Sequence, residues 1–217
     1  MPQIAASTAT ADRVFFTSMG LATLMTVVVG FAPTYYLRAA DAPALTPLLQ
    51  AHGLTATAWM LLFIAQTGLI AAHRTDLHRK LGGFAVVIAL GLFITGSMIS
   101  VVVRGWSERL VFAAGALLMF AGYLIAALLQ RRNPAAHKRL MLLATLSVLA
   151  PAVSRLRLPF VAHNSFGPNF AVLAFLVPMV VYDLWSRRGR IHPALAWGGL
   201  VFILMLPVRM WLKGALA

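Results

Sequence analysis

Cysteine is absent from the 217 residues, and only five acidic side chains stand against eighteen Lys and Arg. The first absence removes disulfides, iron–sulfur clusters, thiolate metal sites and cysteine nucleophiles. Redox or metal chemistry would then rest on His, Met, Asp, Glu or an organic cofactor. Charged residues make up 11% of the chain, far below the roughly 25% of soluble domains. A phosphate-cradling P-loop, an HExxH metal motif and a Ser-centred nucleophile elbow are missing as well. The run His73-Arg74-Thr75-Asp76-Leu77-His78 has a passing likeness to a metal-ligand cluster, but the several histidine boxes of membrane di-iron desaturases are lacking.

What the chain has is apolar length. Hydrophobic residues are 61% of it, gathered in stretches of the roughly 20 residues that an α-helix needs to cross a bilayer. The pattern predicts an all-α fold, a polytopic transmembrane bundle of seven helices. These cover Val14 to Leu37, Pro47 to Ala72, Asp76 to Val103, Glu108 to Gln130, Pro134 to Leu158, Asn169 to Trp185 and Pro193 to Leu212. The gaps are short, so successive helices should pack antiparallel. Residues 1–12 read as a disordered tail without the basic n-region of a signal peptide, and residues 13–217 as a single transmembrane domain. Pro151 should kink the fifth helix by removing a backbone donor.

Counting Lys and Arg over the short connections sets the orientation. Eleven fall with the N-terminus and the 2–3, 4–5 and 6–7 loops, and seven on the other side. The expected arrangement is a cytoplasmic N-terminus and a periplasmic C-terminus in a bacterial inner membrane. A formal charge of +13 in a soluble chain would point to nucleic acid. Here the cations sit at helix ends, where anionic lipid headgroups are the expected partners and nucleic acid is not.

The six histidines are the chemically informative residues. His73, His78, His137 and His192 fall near one face, and His52 and His163 near the other. The third helix opens with Asp76-Leu77-His78-Arg79-Lys80-Leu81 and the fifth with Pro134-Ala135-Ala136-His137-Lys138-Arg139-Leu140. Arg190-Ile191-His192-Pro193 opens the seventh in a similar way. The recurrence fits either duplication of a hairpin or the general basicity of inward turns. On the second helix His52, Trp59, Gln66 and His73 recur every seven residues. They form one stripe about 31 Å long that should face protein, since a lipid-facing amide goes unpaired.

Three readings of these residues stand side by side. A haem b needs two imidazoles at one depth on facing helices, which suggests His78 with His137 at the inner face and His52 with His163 at the outer, electrons passing across the bilayer. Any of the ten methionines could serve as an alternative axial ligand. Convergence of His78, His137 and His192 would instead build a metal cluster. The plain alternative is interfacial histidines in a non-enzymatic protein that binds or carries a lipid or small molecule, or helps to assemble a larger complex.

The segment from His52-Gly53 through Trp59 and Gln66 to His78-Arg79-Lys80-Leu81-Gly82 resembles one recurring in uncharacterised small bacterial polytopic membrane proteins. A second marker is His137-Lys138-Arg139-Leu140-Met141 followed by Pro151 and Arg155. Such proteins are similar in size and His placement to transmembrane di-haem cytochromes b and to membrane proteins that assist assembly of haem-copper oxidases. The likeness covers about residues 45–160 and implies haem ligation, with quinone or a respiratory complex as partner. His163 departs from the di-haem pattern by falling in a loop.

Three charged groups complete the expectations. Arg155 and Arg157, with Asn164 and Asn169 near in sequence, form a candidate anion site. Asp183 should pair with Arg187 one turn on, or with the basic 2–3 loop. Arg209 should anchor at the interface beside Trp211. Gly91 with Thr95, Gly96 with Ser100, and the Gly115, Met119, Gly122 face of the fourth helix read as ordinary close packing.

Overall fold

The computed structural model describes residues 2–104, 108–156, 158–162 and 166–215. Among these the chain is helical, with no strand. The helices are α1 (Pro2–Phe31, continued by a π turn, Ala32–Tyr36), α2 (Pro47–Ala71), α3 (Thr75–Arg104), α4 (Glu108–Leu129), α5 (Pro134–Ser147), α6 (Ala150–Val153), α7 (Pro159–Ala162), α8 (Gly167–Leu173), α9 (Leu176–Ser186) and α10 (Pro193–Ala215). Thr46 and Asn133 cap α2 and α5 by accepting from the backbone amides of Leu49 and Ala136. Each is followed by a proline at the first helical position, where no donor is lost.

Six stretches among the described residues are long and apolar enough to cross a membrane: Thr10–Tyr36, Pro47–Ala71, Thr75–Val102, Leu110–Leu129, Gly167–Ser186 and Pro193–Ala215. The expected fifth span is the exception, because it is broken into α5 and α6. Pro151 has no amide hydrogen for the carbonyl of Ser147 four residues earlier, and α5 ends at that residue. Pro178 does the same to Ala174, dividing α8 from α9 within a segment expected to be one helix. The first dozen residues, expected as a loose tail, continue α1 from Pro2.

The broken segment is the axis of the bundle. Leu142, Leu143, Ala144 and Leu146 of α5 are fully buried, while Phe84, Val87, Leu118, Val177 and Trp197 on surrounding helices are 61–70% exposed. An apolar exterior around a packed interior is what a hydrocarbon solvent favours. Helix α5 packs against α4, α10 and α1, and α6 against α1 and α8. Lys138 reaches Asp12, ten residues into α1, and Ala152 lies against Gly30 near the end of that helix. A Cβ on Gly30 would run into the Ala152 backbone. Helices α5 and α6 thus run alongside α1 over its residues 12 to 30, about 27 Å at 1.5 Å per residue.

Helix α2 pairs antiparallel with α3: His52 meets Thr95, Thr55 meets Gly91, and Gln66 meets the first turn of α3. Successive long helices reverse direction in this way, so the polar residues collect at two ends of the molecule. One end holds Asp12, His73, His78, His137, Asp183 and His192; the opposite end holds Phe31, His52, Phe112, Ala152 and Arg209.

Candidate functional site

At the histidine end a buried ion pair ties three helices together. Arg139 of α5 and Asp183 of α9 are 3% and 1% exposed. The Arg139 Nε donates to both carboxylate oxygens at 2.9 and 3.1 Å, and its Nη2 also bonds Asp183. A third donor is the backbone amide of His192, 2.9 Å from Asp183 Oδ2. The Arg139 Nη1 spends its hydrogen on the Ala135 carbonyl at 2.7 Å. So many charge-assisted bonds are what a buried carboxylate requires. Asp183 was expected to pair with Arg187 or with the 2–3 loop; the partner lies 44 residues away instead, because the side chain points inward against α5 rather than along its own helix.

A second acid extends the cluster. Asp12 accepts from the Tyr182 hydroxyl at 2.6 Å and from Lys138 at 2.6 Å, and Phe15 stacks on Tyr182 at 4.1 Å. His192 is 9% exposed, and its Nδ1 accepts from the Ala194 amide at 3.0 Å. That bond requires an unprotonated Nδ1. Burial, then the nearby Arg139 and Arg187 cations, hold this imidazole below its ordinary value.

His78 and His137 stand together beside this cluster. Their ring centroids are 6.4 Å apart with planes at 88°. His137 Nδ1 lies 2.8 Å from the Ala127 carbonyl; a carbonyl only accepts, so Nδ1 carries a hydrogen and Nε2 is the ring nitrogen left for a ligand. His78 Nδ1 is buried with no hydrogen-bond partner, as is the Oε1 of neighbouring Gln66. The Gln66 Nε2 donates to the His78 carbonyl at 3.2 Å. Buried polar atoms without partners are rare enough to mark a place where something else can bind.

The metal trio is not assembled: among the described residues no three His, Asp or Glu are disposed to hold an ion. His192 is instead committed to Asp183 and Ala194. On α2, Trp59 is buried edge-on against Phe120 at 5.0 Å, and Gln66 turns to α3. His73 leaves the stripe. It follows the end of α2 at φ 59° and is exposed, with its Nε2 accepting from Arg13 at 2.8 Å.

Of the outer pair, His52 Nδ1 is 3.1 Å from the Thr95 hydroxyl, while His163 lies outside the described residues, with Asn164 and Arg157. Arg155 is exposed, bonds the Pro151 carbonyl and lies over the Phe31 ring at 4.3 Å. It does not line the cavity beside the α5–α6 break. The cation that does is Arg209, expected as an interfacial anchor but 5% exposed. Its stem crosses α4 over Gly115, where a Cβ would collide with the arginine Cδ. Its Nε and Nη1 donate to the carbonyls of Met205 and Phe112 at 3.2 and 3.3 Å. With Ser147, Asn169, Met119 and Phe202 it lines a small cavity beside the α5–α6 break.

Among the described residues the fold is all-helical, and its six long apolar spans suit an integral membrane protein. No family model, curated protein or solved structure matches the chain. What the two ends do therefore rests on their own geometry.

Proposed function

We propose that the protein is a multi-pass protein of the bacterial inner membrane that holds one haem b between His78 and His137 and passes electrons at that end of the bundle. The observation that carries the reading is the spacing of the two imidazoles. Ring centres 6.4 Å apart are what two imidazoles adopt across one metal, given metal–nitrogen bonds of about 2.0–2.1 Å. A bare ion would need a third and fourth protein ligand, and none is gathered among the described residues. A haem supplies four nitrogens itself and asks the protein for two.

This chain's residues would do the following. His137 presents Nε2 because its Nδ1–H is tied to the Ala127 carbonyl, a contact that also raises the basicity of a ligating nitrogen. Gln66 holds the first turn of α3, and with it His78, by the bond to the His78 carbonyl. Arg79 and Lys80, exposed at the start of α3, offer cations to propionates. The bound group would supply one-electron chemistry, with quinone or a respiratory complex as the exchange partner.

The reading includes a seventh, central crossing formed by α5 and α6, with the histidine end facing the cytoplasm. The burial of Arg139 and Arg209 removes one cation from each side of the loop count and leaves its difference intact. A periplasmic reporter fused after Ala217 should be active. The haem itself is tested by the reduced-minus-oxidised absorption spectrum of protein purified from haem-supplied cells. Wild type should show a sharp low-spin b-type band, lost or converted to high-spin in His78→Ala and His137→Ala and kept in His192→Gln. A colourless wild-type protein from haem-sufficient cells would refute the assignment.

A further inference from the structure

His78 and His137 occupy matching places in two hairpins, yet only one of them has its second ring nitrogen fixed. His137 Nδ1 donates to the Ala127 carbonyl at 2.8 Å. That carbonyl is available because α4 tightens as it ends: the Arg131 amide bonds Leu128, three residues back, rather than Ala127. His78 Nδ1 is buried and has no hydrogen-bond partner among the described residues. A polar atom left open in an apolar interior is costly, and the cost asks for a nearby remedy.

The residue that faces His78 from α2 is Gln66. Its backbone carbonyl is turned to the His78 imidazole, and its Nε2 donates to the His78 carbonyl at 3.2 Å. A carbonyl only accepts, so the amide end placed there is the NH2 group and the other end is Oε1. Oε1 is buried and without a partner as well. The two ends of an amide share one carbon, so Oε1 stays close to the residue that Nε2 holds. The amide also reaches the next turn of α3, where a Cβ on Gly82 would come within 3.9 Å of Nε2. Two open groups thus remain on one contact, a pure acceptor on Gln66 and a ring nitrogen on His78 able to carry a hydrogen. Each supplies what the other lacks.

We propose that Gln66 is the positioning residue for His78: its Oε1 accepts the Nδ1 hydrogen, which leaves Nε2 as the nitrogen presented to a metal. The assignment rests on the haem reading of His78 and His137. It gives both histidines the same tautomer by different means, a backbone carbonyl in the α4–α5 hairpin and a side-chain carbonyl in the α2–α3 hairpin. The χ2 torsion of histidine is soft, so turning the ring onto Oε1 asks little. An acceptor on Nδ1–H raises the basicity of the ligating nitrogen, and Gln66 thereby bears on the potential of the bound group.

The test follows both the tautomer and the haem. Histidine carrying a heavy nitrogen isotope is incorporated into the full chain in nanodiscs, and the His78 signals are assigned by their loss in His78→Gln. In haem-free wild type at neutral pH, Nδ1 should be protonated and Nε2 unprotonated. Gln66→Leu should lose that preference and retain haem tenfold or more weakly, the usual cost of removing the outer partner of a ligand. Gln66→Glu separates the two bonds, because a carboxylate keeps an acceptor for Nδ1–H and loses the donor to the His78 carbonyl. It should retain haem, with a midpoint potential shifted below wild type by the anionic acceptor. Thr67→Val, next along α2 with its hydroxyl on the Ile64 carbonyl, should match wild type in tautomer and midpoint. His78 protonated at Nε2 in wild type, or an unchanged tautomer in Gln66→Leu, would overturn the proposal. So would equal haem loss in Gln66→Glu and Gln66→Leu, which would reduce Gln66 to a brace on the α3 backbone. A wild type that takes up no haem, but whose His78 tautomer depends on Gln66, would sink the redox reading and leave this contact standing.

Discussion

Arg139 and Arg209 are the same residue type, buried to within two per cent of each other, at opposite ends of one helical bundle. Arg139 meets the Asp183 carboxylate and the Ala135 carbonyl; Arg209 meets carbonyls and a cavity wall. The first is a closed contact that fastens α5 to α9 and leaves nothing for a ligand. The second meets no carboxylate among the described residues and seats its stem on Gly115 of α4. Burial alone therefore does not tell how an arginine's charge is met. The accounting of opposite charge does.

The largest effect should come from breaking the closed pair on one side only. Asp183→Leu leaves the Arg139 cation buried and unpaired and should cost about 3–5 kcal/mol, read as a lower unfolding temperature in detergent. The double substitution Arg139→Met with Asp183→Leu should recover most of that loss. If single and double variants were equally unstable, the carboxylate would be doing something other than neutralising Arg139.

The arginine at the opposite end responds to space before charge. Gly115→Ala should force the Arg209 stem off α4 and cost about 1–3 kcal/mol, the usual range for overpacking. Combining it with Arg209→Ala should relieve the cost, which a thermal-melt cycle of the two variants would show. A smaller effect is expected from pH at the histidine end. His192 is held below its ordinary value when folded, so the unfolded chain takes up that proton more readily. Its contribution is complete above about pH 6.5 and is lost as the pH falls below that. His192→Gln should flatten the stability profile between pH 7 and 5 by that one proton. The smallest effect is reserved for Arg209→Met: with no acid paired to it among the described residues, stability should change by no more than about 1 kcal/mol.

Much of the architecture was legible in the sequence. Apolar length placed the helices, Pro134 and Asn133 marked the start of α5, and Pro151 announced the break after Ser147. The equivalence of His78 and His137 at the heads of their helices anticipated their contact. Misreadings arose where a local rule competed with a distant partner. Asp183 has Arg187 at helical spacing, but α5 lies closer to its carboxylate. Arg209 has Trp211 and a helix end near it, and the signal that it turns inward was Gly115, a residue indistinguishable from ordinary small-residue packing until α4 and α10 are docked. Pro178 carried the same message as Pro151, yet a single missing donor did not stand out in an otherwise continuous apolar run.

The claim that the histidine end is the redox centre is tested most directly by haem stoichiometry. Pyridine haemochrome absorbance is measured against protein concentration for wild type, His52→Ala and His137→Ala, all purified from haem-supplied cells. One haem per chain is expected in wild type and His52→Ala, and none in His137→Ala. Absence of haem from wild type, or its retention in His137→Ala, would contradict it.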